Sequence, residues 1–521
     1  MLYTYGIGNL GVDYSIPPQA LPPGALADAR NVIPLDSGLI TGRNGTLKLN
    51  NGAVDYGNSR MTSLFEYRSG TSVKTLCSYK DRLAYYDATT NAFIDYITGL
   101  TTDKMPQWVN FAGKAISINE GADHPQYFDG TTGGALAGTP PHGKTICDWS
   151  SRVWIGGDST DVALLSGSYI SDPTDWTTST ASIGRVQQYI GDTKDPITGI
   201  FGFFEWLLIG KKNILYKLTG DPPTDSSKLS VYPVYDRKGD SVGFTSPWAI
   251  TQVGNDLIFL DGFDIKRLSG IQEFGDVESA SVIPHFREYL RSVTDQEELK
   301  YTKFYHYKNK QQIWVSIPIK RQISNLYTPH FGIQQHYVFV LEYKFYRETG
   351  RYAVFPISGL NITDLTGIAN GAIDDLYGAF QDGFARHIDV DGCNDDSGAA
   401  ITRYFTQVIA GAGKGEGVTE YRKQFHKLNT YIKPTKSTLT MTPSYAVDLM
   451  DDQIRTGTYT NLSSETVNGW PGTGVKRKDI RLFGIGGKSL ALKWSHETIA
   501  ENFVMQPSSV EYEIKQKIEI V

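Results

Sequence analysis

The segment DVDGCNDD, residues 389–396, has the side chains and spacing in this sequence that are best suited to bind a cation. Asp389, Asp391 and Asp395 lie in one short loop around Gly392, and calcium prefers several oxygen ligands at alternate positions with a glycine at the bend. The distant bidentate glutamate of the helix–loop–helix calcium motif is absent, and no helix is predicted on either side. The segment therefore predicts a solvated acidic turn, with a bound cation as the alternative.

Two glycine-rich segments resemble nucleotide-binding loops, but neither has the surrounding sequence that such a site needs. GIGNLG, residues 6–11, matches the GxGxxG spacing, yet it runs into VDYSIPP, which cannot form the helix that follows a dinucleotide-binding loop. AGAGKGEG, residues 410–417, has glycine after its lysine where a phosphate-binding loop has serine or threonine. We interpret the first as a flexible arm and the second as a linker. The sequence predicts no cofactor.

The segment SYISDPTDW, residues 168–176, could be either a catalytic turn or the corner of a structural unit. Sialidase-like hydrolases carry repeated Ser-x-Asp-x-Gly-x-Thr-Trp turns, but here the glycine is absent and the turn occurs once. Pro173 has no N–H to extend a strand, and Asp172, next to Ser171, can accept a hydrogen bond from the backbone ahead of it as an Asx turn. We therefore predict no catalytic residues here, and a Trp176 ring buried where two sheets meet.

The elements that carry these loops repeat one pattern along the chain: an apolar strand, a short turn, and another apolar strand that ends at Gly, Asp or Pro. Residues 75–99 alternate on both sides of Lys80-Asp81, as a hairpin does, and the pattern returns at 108–130, 197–223 and 248–270. The spacing fits four-stranded propeller blades with variable loops. The predicted fold class is all-β, a β-propeller of about six or seven irregular blades.

Three regions differ in character along the chain. Residues 1–60 predict an N-terminal arm and the first strands, and residues 61–415 the propeller, with a short helical excursion near 283–301. Within that excursion, Thr294 and Glu297 have the spacing of a capping box. Residues 416–521 predict a C-terminal β region that either closes the propeller or forms a small sandwich.

Composition and charge exclude several classes of protein. The 521 residues are 40% hydrophobic and 20% charged, which is typical of a globular protein. Three separated cysteines argue against a disulfide scaffold, and neither a signal peptide nor a membrane-spanning segment is predicted. The net charge of −6 argues against a protein that coats nucleic acid by neutralising phosphates.

Several segments together resemble one family, the β-propeller tail proteins of short-tailed bacteriophages, known as nozzle, tail hub or packaged-DNA stabilisation proteins. Residues 21–49 have the family's arm pattern, and residues 151–176 resemble its strand–turn blade. Further blades of the family are similar to 195–220, 243–270 and 389–407. The positions that carry the resemblance are Asn31, Arg43, Gly45, Arg152, Trp154, Ser171, Asp172, Pro173 and Trp176.

The resemblance implies a non-enzymatic virion protein that is made in the host cytoplasm and assembles as a ring, expected to be a hexamer. The ring would lie below the phage portal and adaptor proteins, extend the DNA channel and retain packaged DNA until ejection. Its implied partners are other copies of itself, the portal and adaptor, tail fibres or a tail needle. Double-stranded DNA would pass through without sequence-specific binding.

The sequence leaves two other functions open. One is a receptor- or carbohydrate-binding tail propeller, with or without glycosidase activity, which would have exposed aromatic side chains and paired carboxylates in a central pocket. The other is a cytosolic scaffold propeller that binds peptides and stays monomeric.

Overall fold

The computed structural model describes residues 2–54, 60–102, 104–235, 241–270, 277–319, 336–371, 373–410, 421–435, 439–449, 453, 457–462, 474–499 and 501–517. Most of these residues lie in β-strands, and helix is confined to a few short turns. Among the described residues, no helix is both long and apolar enough to cross a membrane.

The chain begins with seven short strands whose hydrogen-bonding partners lie mostly far along the sequence. Five of them pair with strands that begin after residue 350. The N-terminal arm is therefore a connecting element of the fold. Its strands are β1 (Leu2–Tyr5), β2 (Gly11–Val12), β3 (Ala25–Leu26), β4 (Asp28–Arg30), β5 (Val32–Pro34), β6 (Ile40–Gly42) and β7 (Gly45–Lys48).

Seven four-stranded antiparallel units follow one another in the described residues and form a β-propeller. Their first strands lie side by side around the axis. Blade 1 is β8 (Met61–Ser69), β9 (Ser72–Tyr79), β10 (Arg82–Asp87) and β11 (Ala92–Ile97); blade 2 is β12 (Gln107–Phe111), β13 (Lys114–Ile118), β14 (Gln126–Phe128) and β15 (Gly133–Ala135). Blade 3 is β16 (Thr145–Trp149), β17 (Arg152–Gly156), β18 (Leu164–Gly167) and β19 (Val186–Tyr189); blade 4 is β20 (Gly199–Phe203), β21 (Trp206–Gly210), β22 (Leu215–Thr219) and β23 (Ser230–Val234).

Blades 5 to 7 complete the ring. Blade 5 is β24 (Ile250–Val253), β25 (Asp256–Asp261), β26 (Asp264–Gly270) and β27 (Val277–Ser281); blade 6 is β28 (Lys303–Tyr307), β29 (Gln312–Pro318), β30 (His336–Glu342) and β31 (Ala353–Ile357). Blade 7 has three consecutive strands, β32 (Ile362–Asn370), β33 (Ile373–Phe380) and β34 (Ala385–Val390), and takes β7 as its outermost strand. The predicted all-β propeller is confirmed, and the N-terminal arm supplies the strand that closes it.

Buried side chains from neighbouring blades hold the ring together. Strand alternation places apolar side chains on both faces of each blade, so each pair of blades shares a core. Between blades 2 and 3 this core contains Ile116, Ile155 and Trp176, and between blades 3 and 4 it contains Trp154 and Leu207. Each blade is thus a wedge whose two apolar faces are covered only when the ring is complete.

The helical excursion lies between blades 5 and 6. It contains α1 (Arg287–Val293) and a single 3₁₀ turn (Leu299–Tyr301); a second short helix, α2 (Tyr346–Thr349), follows β30. Phe286 and Leu290 are buried in the core that blades 5 and 6 share. The capping box expected at Thr294 does not form, because its hydroxyl donates back to the Leu290 carbonyl at 2.7 Å.

The C-terminal strands join strands of the arm in two sheets. One has the order β1-β43-β36-β42-β6-β5 with β39 and β40 also on β36, and the other the order β38-β37-β41-β35-β4. The two sheets share one apolar core, in which the rings of Tyr5 and Trp494 stack 6.5 Å apart. We call this unit the sandwich. Its C-terminal strands are β35 (Arg403–Ile409), β36 (Tyr421–Pro434), β37 (Thr442–Val447), β38 (Thr460–Asn461), β39 (Lys476–Arg481), β40 (Gly486–Gly487), β41 (Leu490–His496), β42 (Phe503–Met505) and β43 (Ser508–Lys517).

The sandwich is attached to one side of the propeller. β2 pairs with β31 of blade 6, and β7 pairs with β34 of blade 7, while β4, β5 and β6 of the same arm belong to the sandwich. The segment AGAGKGEG, which we interpreted as a linker, lies outside the described residues except for Ala410.

Candidate functional site: a buried arginine junction

The arm changes direction at Asn31, which has a left-handed backbone with φ of +55°. Asparagine tolerates this conformation better than most residues. Its side-chain oxygen accepts hydrogen bonds from the Ser358 N–H at 3.0 Å and from Arg43 Nε at 2.9 Å. Its side-chain nitrogen donates to the Thr402 carbonyl at 2.8 Å. One amide therefore ties the arm to the end of blade 6 and to the segment that enters the sandwich.

Arg43 forms the centre of this junction and is only 1% exposed. Its guanidinium makes a bidentate ion pair with Asp396, with Nη1–Oδ1 at 2.9 Å and Nη2–Oδ2 at 2.5 Å. Nη1 also donates to the Asn44 carbonyl. A planar guanidinium stays charged when buried, and its fork matches a carboxylate. The pair fixes the arm against the acidic loop that follows blade 7.

Gly45 brings β7 against the same loop. Its N–H donates to the Cys393 carbonyl at 2.7 Å, and a Cβ at this position would lie 1.8 Å from the Asp395 carbonyl oxygen. No side chain fits in that space, so the close approach of the two backbones requires glycine.

Arg403, at the start of β35, lies directly beside Arg43 and is fully buried. It donates to the carbonyls of Glu501 at 3.0 Å, Asn394 at 2.9 Å and Arg43 at 3.2 Å. Burial, together with the neighbouring Arg43 charge, lowers the pKa of Arg403 to about 10. The guanidinium is therefore charged at neutral pH, and its hydrogen bonds to three carbonyl groups join three separate segments of the chain. The sequence analysis did not single out Arg403, because an arginine at the start of a strand carries no distinctive signal.

The acidic loop that we considered for a cation is occupied by a lysine. Lys310 Nζ lies 2.7 Å from Asp389 Oδ2 and 3.0 Å from Asp391 Oδ1. Burial works against the charge of Lys310, but the Asp389 carboxylate outweighs it and raises the pKa of the lysine. Asp395 accepts the Gly398 N–H instead of joining the other two carboxylates. No group of three or more His, Cys, Asp or Glu side chains in the described ranges is arranged to hold a metal.

Arg152 and Trp154 organise blade 3. Arg152 is fully buried, and its guanidinium donates to carbonyl oxygens that include Ser168 at 2.7 Å and Gly184 at 2.6 Å. It also reaches Thr224 of blade 4 at 3.2 Å. The ring of Trp154 is buried and its Nε1 donates to the Trp149 carbonyl at 2.9 Å. The arginine thus holds the long loop between β18 and β19 in place.

The SDPTDW segment forms a corner inside that loop. Ser171 has φ of +59°, and its N–H donates to the Ser151 carbonyl at 2.8 Å. The Asp172 carboxylate accepts the Thr174 N–H at 2.8 Å, and the Pro173 carbonyl accepts Trp176 Nε1 at 2.8 Å. Trp176 itself is 4% exposed in the core between blades 2 and 3. Each polar group named here already has a hydrogen-bond partner, in the corner itself or, for the Ser171 N–H, in the turn between β16 and β17.

A buried ion pair near the propeller axis was not predicted from the sequence. Lys303 Nζ, on the first strand of blade 6, lies 3.6 Å from Asp364 on the first strand of blade 7. It also lies 3.7 Å from the centre of the Trp248 ring. Burial lowers the pKa of Lys303 to about 8 and raises that of Asp364. Asp364 also accepts the Leu64 N–H of blade 1 at 3.1 Å, so the pair joins three blades.

Buried neutral histidines predict that the fold loses stability in acid. Burial lowers the pKa of His336 to about 3, and it also lowers the pKa values of His285 and His496. Between these values and 6.5 the unfolded chain binds protons that the folded chain does not, so stability falls as the pH decreases. Each such histidine contributes up to about 1.4 kcal/mol per pH unit in that window.

The measurement is the urea midpoint of unfolding between pH 7 and pH 4.5, for the wild type and for His336→Gln. Because glutamine does not titrate, the variant is expected to lose stability less steeply over this range. Equal slopes for the two proteins would show that His336 is not held neutral by the fold.

Comparisons with known proteins identify neither a family nor a function for this chain. No known family profile matches the sequence, and no curated protein matches it. One similar solved structure is a chain titled "Crystal Structure of Mitotic Checkpoint Complex", with 10% identity and a TM-score of 0.38 over 67% of this chain and 96% of that one. Another comes from the structure of BBS1N in complex with ARL6DN, soaked with mercury, with 9% identity and a TM-score of 0.39 over 66% of this chain and 97% of that one. Both likenesses concern the fold alone.

Proposed function

We propose that this chain is a structural tail protein of a short-tailed bacteriophage. Copies of it form a ring, a hexamer, below the portal and adaptor, and this ring extends the DNA channel and retains packaged DNA until ejection. The role is that of a rigid conduit, and it needs no reactive side chain. Its place is the virion.

One observation supports this proposal more than any other. The positions that resemble the tail-protein family are the positions that hold the fold together: Asn31, Arg43 and Gly45 join the arm to the propeller and the sandwich. Arg152 and Trp176 fix the corner of blade 3. Because these residues contact other residues of the same chain, they are suited to a rigid structural protein.

The charge of the chain agrees with a conduit. A net charge of −6 repels the phosphate backbone weakly, so DNA can pass along such a surface without being held. A closed ring also requires a head-to-tail contact between two different surfaces of each copy.

The test is the number and arrangement of copies in purified phage particles. Quantitative mass spectrometry is expected to give about six copies per particle, and cryo-electron microscopy a ring of them below the adaptor. A chain that is absent from particles, or that stays monomeric with purified portal and adaptor, would contradict the proposal. Glycan binding by such a monomer would favour the receptor-binding alternative.

A further inference from the structure

A basic and aromatic corner projects from the sandwich at the end of β39. Among the described strands, β39 lies at an edge of its sheet and pairs with β36 alone. Arg481 is exposed and forms no ion pair with any described residue. Its guanidinium carbon lies 5.8 Å from the centre of the Phe483 ring, which is 79% exposed. Exposed arginine and aromatic side chains are the types that most often anchor protein interfaces. We call this feature the Arg481–Phe483 corner.

An acidic pocket of about 280 Å³ lies on blade 3, and we call it the blade-3 pocket. Asp158, Asp161, Ser166 and Gln187 are among its lining residues, which include no Lys, Arg or His. Ser166 is 3% exposed, and its Oγ has no hydrogen-bond partner. Asp161 uses one oxygen to accept the Tyr189 hydroxyl. The pocket thus presents carboxylates and an unsatisfied hydroxyl, the groups that a guanidinium binds.

The two features are attached at opposite sides of the seven-blade ring. The arm attaches the sandwich to blades 6 and 7, through β2 on β31 and β7 on β34. In a ring of seven blades, blade 3 is three blades away from both of them. Complementary surfaces on opposite sides of the ring of blades are separated within one copy, but they can join successive copies head to tail.

We propose that the Arg481–Phe483 corner of one copy docks into the blade-3 pocket of the next copy. Arg481 pairs with Asp161 and satisfies the Ser166 hydroxyl, and Phe483 covers the mouth of the pocket and excludes water. The contact is heterologous, so repetition around an axis closes a ring. This inference rests on the proposed function and names the surfaces that build its ring.

The test is a charge exchange across the contact. Wild type, Arg481→Glu, Asp161→Arg and the double variant are compared by sedimentation velocity over a range of concentrations. Asp161 is chosen over Asp158 because Asp158 caps the backbone of its own loop at Thr160. Arg291→Glu, which changes another exposed arginine on α1, is the matched control. Hydrogen exchange of blade 3 and the sandwich verifies that each variant is folded.

Each single variant is expected to weaken self-association by tenfold or more, and the double variant to recover most of the loss, while the control assembles like wild type. If wild type forms rings and both single variants form them equally well, the proposed contact is wrong, whereas the proposed ring is supported. If wild type never associates, the proposed ring is contradicted as well. If Arg481→Glu instead reduces only the affinity for double-stranded DNA, the corner is a nucleic-acid site and the proposal is overturned.

Discussion

Replacing Arg43 with methionine is expected to lower the free energy of unfolding by about 3–5 kcal/mol, because it leaves the partly buried Asp396 carboxylate without its partner. Methionine has a similar length to arginine and fills most of the same space. The decrease in the free energy of unfolding therefore reflects the lost ion pair and the lost hydrogen bond to Asn31 more than a cavity. Removing both partners is expected to cost less than removing one, since the Arg43→Met, Asp396→Leu double variant leaves no unpaired buried charge.

The location of the damage distinguishes this prediction from general destabilisation. Hydrogen exchange is expected to increase first in β7 and in β34 of blade 7, where the propeller closes. Arg68→Met is the matched control, since Arg68 pairs with Glu66 but its side chain is 49% exposed. That change is expected to cost about 0–1 kcal/mol. Equal losses for both variants would mean that the junction is not a special point of the fold.

Truncating Trp176 to alanine is expected to cost about 3–5 kcal/mol, because the buried ring fills the core between blades 2 and 3. The loss of its hydrogen bond to the Pro173 carbonyl also frees the SDPTDW corner. The measurement is the urea midpoint, together with the hydrogen exchange of β13 and β17, the second strands of the two blades.

Phe204→Ala is the control for Trp176, since it removes an aromatic ring that is 61% exposed in the turn between β20 and β21 of blade 4. It is expected to change stability by less than about 0.5 kcal/mol. If Trp176→Ala were equally mild, the corner would not act as a structural wedge, and a ligand-binding role for the segment would have to be reconsidered.

Much of the fold could be predicted from local patterns. Alternating apolar residues on both sides of Lys80-Asp81 predict the hairpin of β9 and β10, and the same pattern recurs in each blade. The blade count was harder, because the outermost strand of blade 7 is β7, which lies more than 300 residues before β34. The local sequence there supplies three consecutive strands, β32 to β34, and the fourth comes from the arm.

The polar junction could be predicted only in part. The resemblance pointed to Asn31, Arg43 and Gly45, but it did not identify their partners Asp396 and Thr402. For the acidic loop, the sequence identified the carboxylates but not the side chain that binds them. Its spacing predicts a solvated turn with a bound cation as the alternative, whereas the structure places the charged side chain of Lys310, from blade 6, against it. Sequence spacing describes the ligands of a site but not the distant side chain that occupies it.

The sequence by itself determined the strands, the hairpin turns and the aromatic side chains that become buried, since these depend on alternation and on the backbone preferences of nearby residues. Only the tertiary structure decided that the arm closes the propeller, that Arg43 pairs with a carboxylate 353 residues away, and that Lys303 meets Asp364 near the axis. The physical reason is that a buried charge needs a partner, and the fold as a whole, not the neighbouring sequence, brings that partner within reach.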